Sequence, residues 1–130
     1  KKDFENEIKK ILKENDIELI VMAGWMKIVS ENFVNNFENK IINIHPSLLP
    51  SFKGKSPISD ALKNKSFITG CSVHFVDKNI DNGQLIIQAA LCIDSKDNID
   101  SLTKKIHEIE HIILPFAVSE AGLKVRHNYG

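Results

Sequence analysis

The chain has 130 residues, 42% of them hydrophobic, with 17 basic and 17 acidic side chains and a formal net charge of zero, enough for one packed core and little more. That balance provides no electrostatic drive toward nucleic acid or an anionic membrane and leaves only a local anion site open. No apolar run nears the roughly 18 residues of a membrane span, the start KKDFENE is not a signal peptide, and Cys71 and Cys92 lie in apolar runs without a CxxC pair, so a single domain over 1–130 in a reducing, cytoplasmic compartment is expected.

Phe4, Ile8, Ile11 and Leu12 recur at helical spacing among Lys and Glu, which predicts an opening helix closed by Asn15 and Asp16. ELIVMAGW follows, a continuous apolar run suited to a strand covered on both faces. A second helix is expected after Gly24, running through FVNNF. KIINIH reads as a short strand, and residues 56–63 as a helix with Pro57 at its first position, where a missing N–H costs nothing. CSVHFVD and QLIIQAALCI are strands joined by the turn KNIDNG, a β-hairpin with five or six loop residues. Over 100–118, Leu102, Ile106, Ile109, Ile112 and Ile113 make a helical stripe with Ser101 as its cap, and GLKVRH is expected to be a terminal strand or extended tail. Helices and strands alternating, then antiparallel strands, describe a three-layer α/β fold. A helix leading straight into a buried strand looks like a doubly wound domain whose first βα units lie outside this chain.

Two short motifs point toward metals. HEIEH, His107 to His111, fits the zinc-protease pattern H-E-x-x-H, and a spacing of four puts both imidazoles on one side of a helix. No third ligand follows except His127, so zinc is not expected. DKNIDNG opens like a calcium loop with Asp77, Asn79 and Asp81 at alternate positions. Its glycine falls one place late and position twelve is Gln88 rather than a bidentate Glu, so a tight turn stabilised by Asp and Asn is expected instead.

The stretch NIHPSLLPSFKG places polar groups directly after the apolar pair Ile41 and Ile42. Asn43 and His45 are two apart and on an extended backbone point the same way; Pro46 holds His45 to extended dihedrals. If the turn between the two long strands folds over the sheet edge, the Asp81 carboxylate meets His45. An amide donor, an imidazole and a carboxylate suit transfer of an acyl-like carbon: the amide hydrogen-bonds an oxygen gaining charge, the imidazole donates to it or moves a proton, and the carboxylate favours and orients imidazolium. No Ser or Cys sits at a nucleophile elbow, which favours direct attack by the acceptor. Each residue also has a plainer reading: Asn43 satisfying a strand end, His45 as structure before proline, Asp81 as a turn former.

Three segments, NIHPSLLPSFKG, TGCSVHFVDKNIDNGQLIIQAA and IHEIEHIILP, together resemble the phosphoribosylglycinamide formyltransferase family, in matching order from about Leu19 to Val125. The resemblance implies a Rossmann-like formyltransferase fold, mostly parallel with an antiparallel C-terminal part, and transfer of a formyl group from 10-formyltetrahydrofolate to the primary amine of glycinamide ribonucleotide in purine synthesis, with no metal. Asn43, His45 and Asp81 match the family's catalytic Asn, His and Asp. Met26, Lys27, Ile28 and Val29 match the segment lining the folate pocket, and Lys78, Asn79, Ile80, Asp81, Asn82 and Gly83 its other wall. Glu110 matches a carboxylate that contacts the ribose hydroxyls of the nucleotide, which gives HEIEH a role without zinc.

Two features depart from the family pattern. The family's opening strand and its Gly- and Ser-rich phosphate loop have no counterpart here, and KGKSPISDAL leans toward the Pro-Ile form of the related methionyl-tRNA formyltransferases, although IHEIEHIILP speaks for the glycinamide enzyme. Formyltetrahydrofolate deformylase, which uses water as acceptor, and a non-catalytic folate-binding remnant are the alternatives.

Overall fold

The computed structural model describes residues 2–23, 30–77 and 83–129. In chain order the elements are α1 (Lys2–Glu14), β1 (Ile20–Met22), α2 (Glu31–Asn36), β2 (Ile41–His45), α3 (Pro57–Lys63), β3 (Ile68–Phe75), β4 (Leu85–Cys92) and α4 (Ile99–Tyr129). The four strands form one open sheet in the order β1-β2-β3-β4. β1 and β2 are parallel, whereas β2–β3 and β3–β4 are antiparallel, a mixed sheet of the Rossmann-like kind.

Two adjacent residues show how the layers arise. Ile41 and Ile42 are both completely buried, yet successive strand residues point to opposite faces. Ile41 joins Met22, Phe33 and Phe37, with Ile8 and Leu12 of α1 packed alongside. Ile42 joins Cys71, Val73 and Phe75 against Leu102, Ile106, Ile113, Ala117 and Ala121 of α4, with Ile58 and Leu62 of α3 beside them. The sheet therefore lies between α1 and α2 on one face and α3 and α4 on the other, the expected three layers. Burying one such isoleucine is worth about 2–3 kcal/mol, so the pair pins the register of β2 on both faces.

Local expectations met different fates. Pro57 opens α3 as expected, and α1 ends with Asp16 in the left-handed region. Within α1, however, Phe4 and Ile11 are exposed while Ile8 and Leu12 pack inward. Val21 stays 39% exposed on β1, because a strand at the sheet edge is not covered equally on its two faces. The start expected for the second helix lies outside the described residues; within them, Ser30 caps α2 by accepting from the Phe33 N–H at 3.1 Å. Glu5 of α1 in turn accepts from the Ser30 N–H at 2.8 Å and from its hydroxyl.

The largest correction concerns the C-terminus. GLKVRH is helical, and α4 runs on to Tyr129 through an internal Pro115. The buried stripe explains it: Ala117, Ala121 and Val125 continue the four-residue spacing that seats α4 on the sheet, and tertiary packing outweighs local β-propensity. Ile112, expected in that stripe, is instead 63% exposed. Ser101 is not the cap either. Asn98 Oδ1 accepts from the Ser101 N–H at 2.9 Å while Ser101 Oγ accepts from the Asn98 N–H at 3.0 Å, a reciprocal capping box with Asn98 as the cap. Among the described residues, no helix is long and apolar enough to cross a membrane.

Candidate active site

Asn43 and His45 occupy the last turns of the pleat in β2, on one face. Asn43 stands between Met22 of β1 and His74 of β3, and His45 stands opposite Ser72. Side chains directly across an antiparallel pair share a face, so Asn43, His45, Ser72 and His74 form a polar group at one end of an otherwise apolar sheet. His45 is 5% exposed and Asn43 half-buried. Among the described residues none hydrogen-bonds the Asn43 carboxamide, which leaves its N–H groups available to an oxygen placed against the sheet.

The His45 ring is held from outside its strand. Its Nε2 lies 2.9 Å from the Phe52 carbonyl oxygen, which can only accept, so Nε2 carries a proton and donates. Any change in the protonation of this imidazole then takes place at Nδ1. Phe52 sits at φ 54°, a left-handed conformation that costs a non-glycine residue about 1–2 kcal/mol. Its carbonyl also receives the Ser47 hydroxyl at 3.4 Å, and that hydroxyl donates to Ser51 O at 2.6 Å. Polar contacts on both sides of the loop thus sustain a strained residue whose carbonyl meets the imidazole.

Glu110 projects from α4 with its side chain 16% exposed, and its Oε1 lies 3.8 Å from His107 Nε2. Burial pushes its carboxyl above the usual range, while the charges of His107, His111 and His45 draw it back down. Burial, with the Glu110 charge adding to it, pushes the Cys71 thiol up to about 11, which keeps it an inert core residue. His107 and His111 also line a shallow depression of about 610 Å³ along α4, with Lys104 and Glu108. Among the described residues, no group of three or more His, Cys, Asp or Glu is arranged to hold a metal ion.

Of the residues singled out from sequence, the fold brings Asn43 and His45 together and sets Glu110 within electrostatic reach of His45. Asp81 lies outside the described residues, as do Met26, Lys27, Ile28 and Val29 and the loop residues Lys78, Asn79, Ile80 and Asn82. Gly83 is described, and an added Cβ there would stand 1.7 Å from the Phe75 carbonyl oxygen. Only glycine permits that approach of the hairpin's returning arm, where Phe75 N donates to Gln84 O at 2.9 Å. Sequence reasoning missed Ser47, Phe52, Ser72 and Gln88. Only Ser72 and Gln88 left a visible signal, polarity out of place: a Ser between Cys71 and Val73, and a Gln between Ile87 and Ala89.

Residues 1–118 match the family model described as formyl transferase. The chain belongs to the formyl transferase family. Within that family it is similar to the trifunctional purine biosynthetic protein adenosine-3 of Chironomus tentans, 45% identical over 81% of this chain and 8% of that protein. It is also similar to the phosphoribosylglycinamide formyltransferase of Bacillus subtilis, 36% identical over 90% of this chain and 60% of the relative. The crystal structure of phosphoribosylglycinamide formyltransferase from Anaplasma phagocytophilum superposes with a TM-score of 0.85 at 42% identity, covering 87% of this chain and 55% of that one. The chain thus spans between 8% and 60% of the length of these relatives.

Proposed function

We propose that this chain carries the catalytic and folate-facing portion of a cytoplasmic phosphoribosylglycinamide formyltransferase, which moves a formyl group from 10-formyltetrahydrofolate to the primary amine of glycinamide ribonucleotide. The observation that carries the reading is the pairing of a half-buried Asn43 carboxamide with a buried His45 ring on one sheet face, the ring nitrogen secured by Phe52.

In the proposed reaction the amine nitrogen attacks the formyl carbon and the carbonyl π electrons move to oxygen. Asn43 donates to that oxygen as charge develops, the kind of contact worth about 3 kcal/mol in the transition state. His45, with Nε2–H committed to Phe52, stabilises the tetrahedral intermediate and exchanges its proton at Nδ1. Collapse breaks the bond to the folate N10, which leaves with a proton, while the attacking amine loses one. The products are tetrahydrofolate and the formylated amine, so atoms and charge balance without a metal or a covalent enzyme intermediate. Asp81 is assigned the carboxylate that favours imidazolium and relays a proton through water. Met26, Lys27, Ile28 and Val29 are assigned one wall of the folate pocket, with residues 78–83 as the other, and Glu110 the ribose hydroxyls.

The test is formyl transfer by the full-length polypeptide, with His45→Ala beside it. Transfer that is lost in the variant supports the proposal. Formate released without an amine acceptor would move the assignment to a deformylase, and folate binding with no turnover to a non-catalytic remnant.

A further inference from the structure

We propose that Gln88, on β4 two strands away from His45, is a positioning residue for that imidazole, acting through the loop that follows β2. The inference rests on His45 being the reactive imidazole of the proposed function, and it adds a residue that neither touches substrate nor lies in the same strand.

The Gln88 side chain has two N–H groups, and its Nε2 lies 3.0 Å from the Leu49 carbonyl oxygen and 2.9 Å from Ser72 Oγ. The Leu49 carbonyl accepts only, so the amide nitrogen must face it. Ser72 Oγ accepts as well from the Leu49 N–H at 3.0 Å and donates to the Ser47 carbonyl at 2.7 Å. Both backbone groups of Leu49 are thereby addressed by two side chains standing opposite each other on β3 and β4. Ser47 then passes the constraint on, its hydroxyl reaching Ser51 and Phe52, and the Phe52 carbonyl closes the circuit on His45 Nε2.

Gln88 is the one polar side chain in LIIQAALC apart from its terminal Cys, and its amide nitrogen reaches both the loop, at the Leu49 carbonyl, and Ser72 directly across the strand pair. Gly70 makes the same seat possible from beneath, since an added Cβ would lie 2.9 Å from the Leu48 side chain and 1.9 Å from the Ala89 carbonyl oxygen. A loop anchored at one end by Gln88 and Ser72 and ending on the imidazole transmits displacement: if Leu49 drifts, Phe52 drifts with it, and the ring loses its fixed direction.

The experiment uses the full-length protein with Gln88→Leu and Gln88→Met, which keep bulk and remove the donors, the second being the more forgiving to pack. The expected result is a kcat lower by about 10- to 100-fold with both KM values held within about twofold, as for a small misplacement of a reacting group. In a His45→Ala background the same substitution should change the residual rate by less than about twofold, because its effect runs through the missing ring. By NMR, the His45 Nε2-bound proton, protected in the wild type, should exchange with solvent at least about tenfold faster in the variant. A kcat within twofold of wild type, an equal loss in both backgrounds, or unchanged protection of that proton would each overturn the proposal. If the wild type shows no formyl transfer, the proposed function fails, and the proton-exchange measurement still decides whether Gln88 holds the ring.

Discussion

His45 in the sheet and Glu110 on α4 lie within electrostatic reach of each other and are governed by different physics. His45 is buried, and its Nε2 meets the carbonyl of Phe52, on a loop that Ser72 holds through backbone groups of Leu49 and Ser47. Glu110 is partly exposed and set by competition between burial, which disfavours its charge, and three imidazoles, which favour it. The first arrangement fixes geometry; the second tunes charge and responds to pH and salt. In the proposed reaction the first would supply a fixed proton carrier and the second an adjustable electrostatic rim.

The contrast can be broken most sharply at the imidazole. His45→Ala should lower kcat by about 10²- to 10⁴-fold, the range of a lost acid–base group, with folate affinity measured alongside and expected to hold. Asn43→Ala should cost about 10²- to 10³-fold in kcat, the range for one oxyanion donor, again read from steady-state rates. A loss confined to KM in either variant would mean that the strand end binds substrate without stabilising the transition state.

Ser72→Ala tests the fixed side through stability. It leaves the buried Leu49 N–H and Ser47 carbonyl without their partner, and a urea titration should register a loss of about 1–3 kcal/mol. A midpoint unchanged from wild type would show that the loop is held by packing alone. Glu110→Gln tests the adjustable side. Because the folded carboxyl titrates above its ordinary value, the folded chain keeps a proton that the unfolded chain has released. That contribution is fully present below the ordinary carboxylate pKa and is lost as pH rises through the raised one. The variant should flatten the decline in stability across that window, as followed by denaturant midpoints at a series of pH values; an unaltered slope would remove Glu110 as its source.

Asp97→Asn should have the smallest effect. Asp97 accepts from Lys105 Nζ at 2.7 Å and from Ser101 Oγ at 2.8 Å, contacts that lower its pKa to about 2. Its contribution is present above the ordinary carboxylate value and disappears as pH falls through about 2. The variant should match wild type in activity and lose some of the steepness of acid unfolding, as followed by circular dichroism.

Much of this was legible without coordinates, for reasons that differ between elements. Pro57 announced the start of α3 because its ring suits a first helical position, and KIINIH announced a short strand, whose burial on both faces the structure added. Asn43 and His45 were readable as a pair because the two-residue period is a property of any extended chain. The end of α4 was not readable: Leu123, Lys124 and Val125 look like a strand until Ala117, Ala121 and Val125 are seen lying on the sheet. Gln88 was weighed as a failed calcium ligand, because nothing local reveals that its amide reaches Leu49, 39 positions away.

The sequence by itself determined the elements whose cause is local, namely the strand β2, the α3 start, the hairpin strands and the pairing of Asn43 with His45, together with a family pattern that spans most of the chain. Only the tertiary structure decided that α4 continues to Tyr129, that Asn98 caps it, and that Ser72 and Gln88 hold the loop that ends on His45. Backbone dihedrals, caps and strand periods act over a few residues and leave their mark on neighbouring letters. A hydrogen bond between distant strands, or a helix stabilised by the surface it covers, acquires its energy only after the chain has closed on itself.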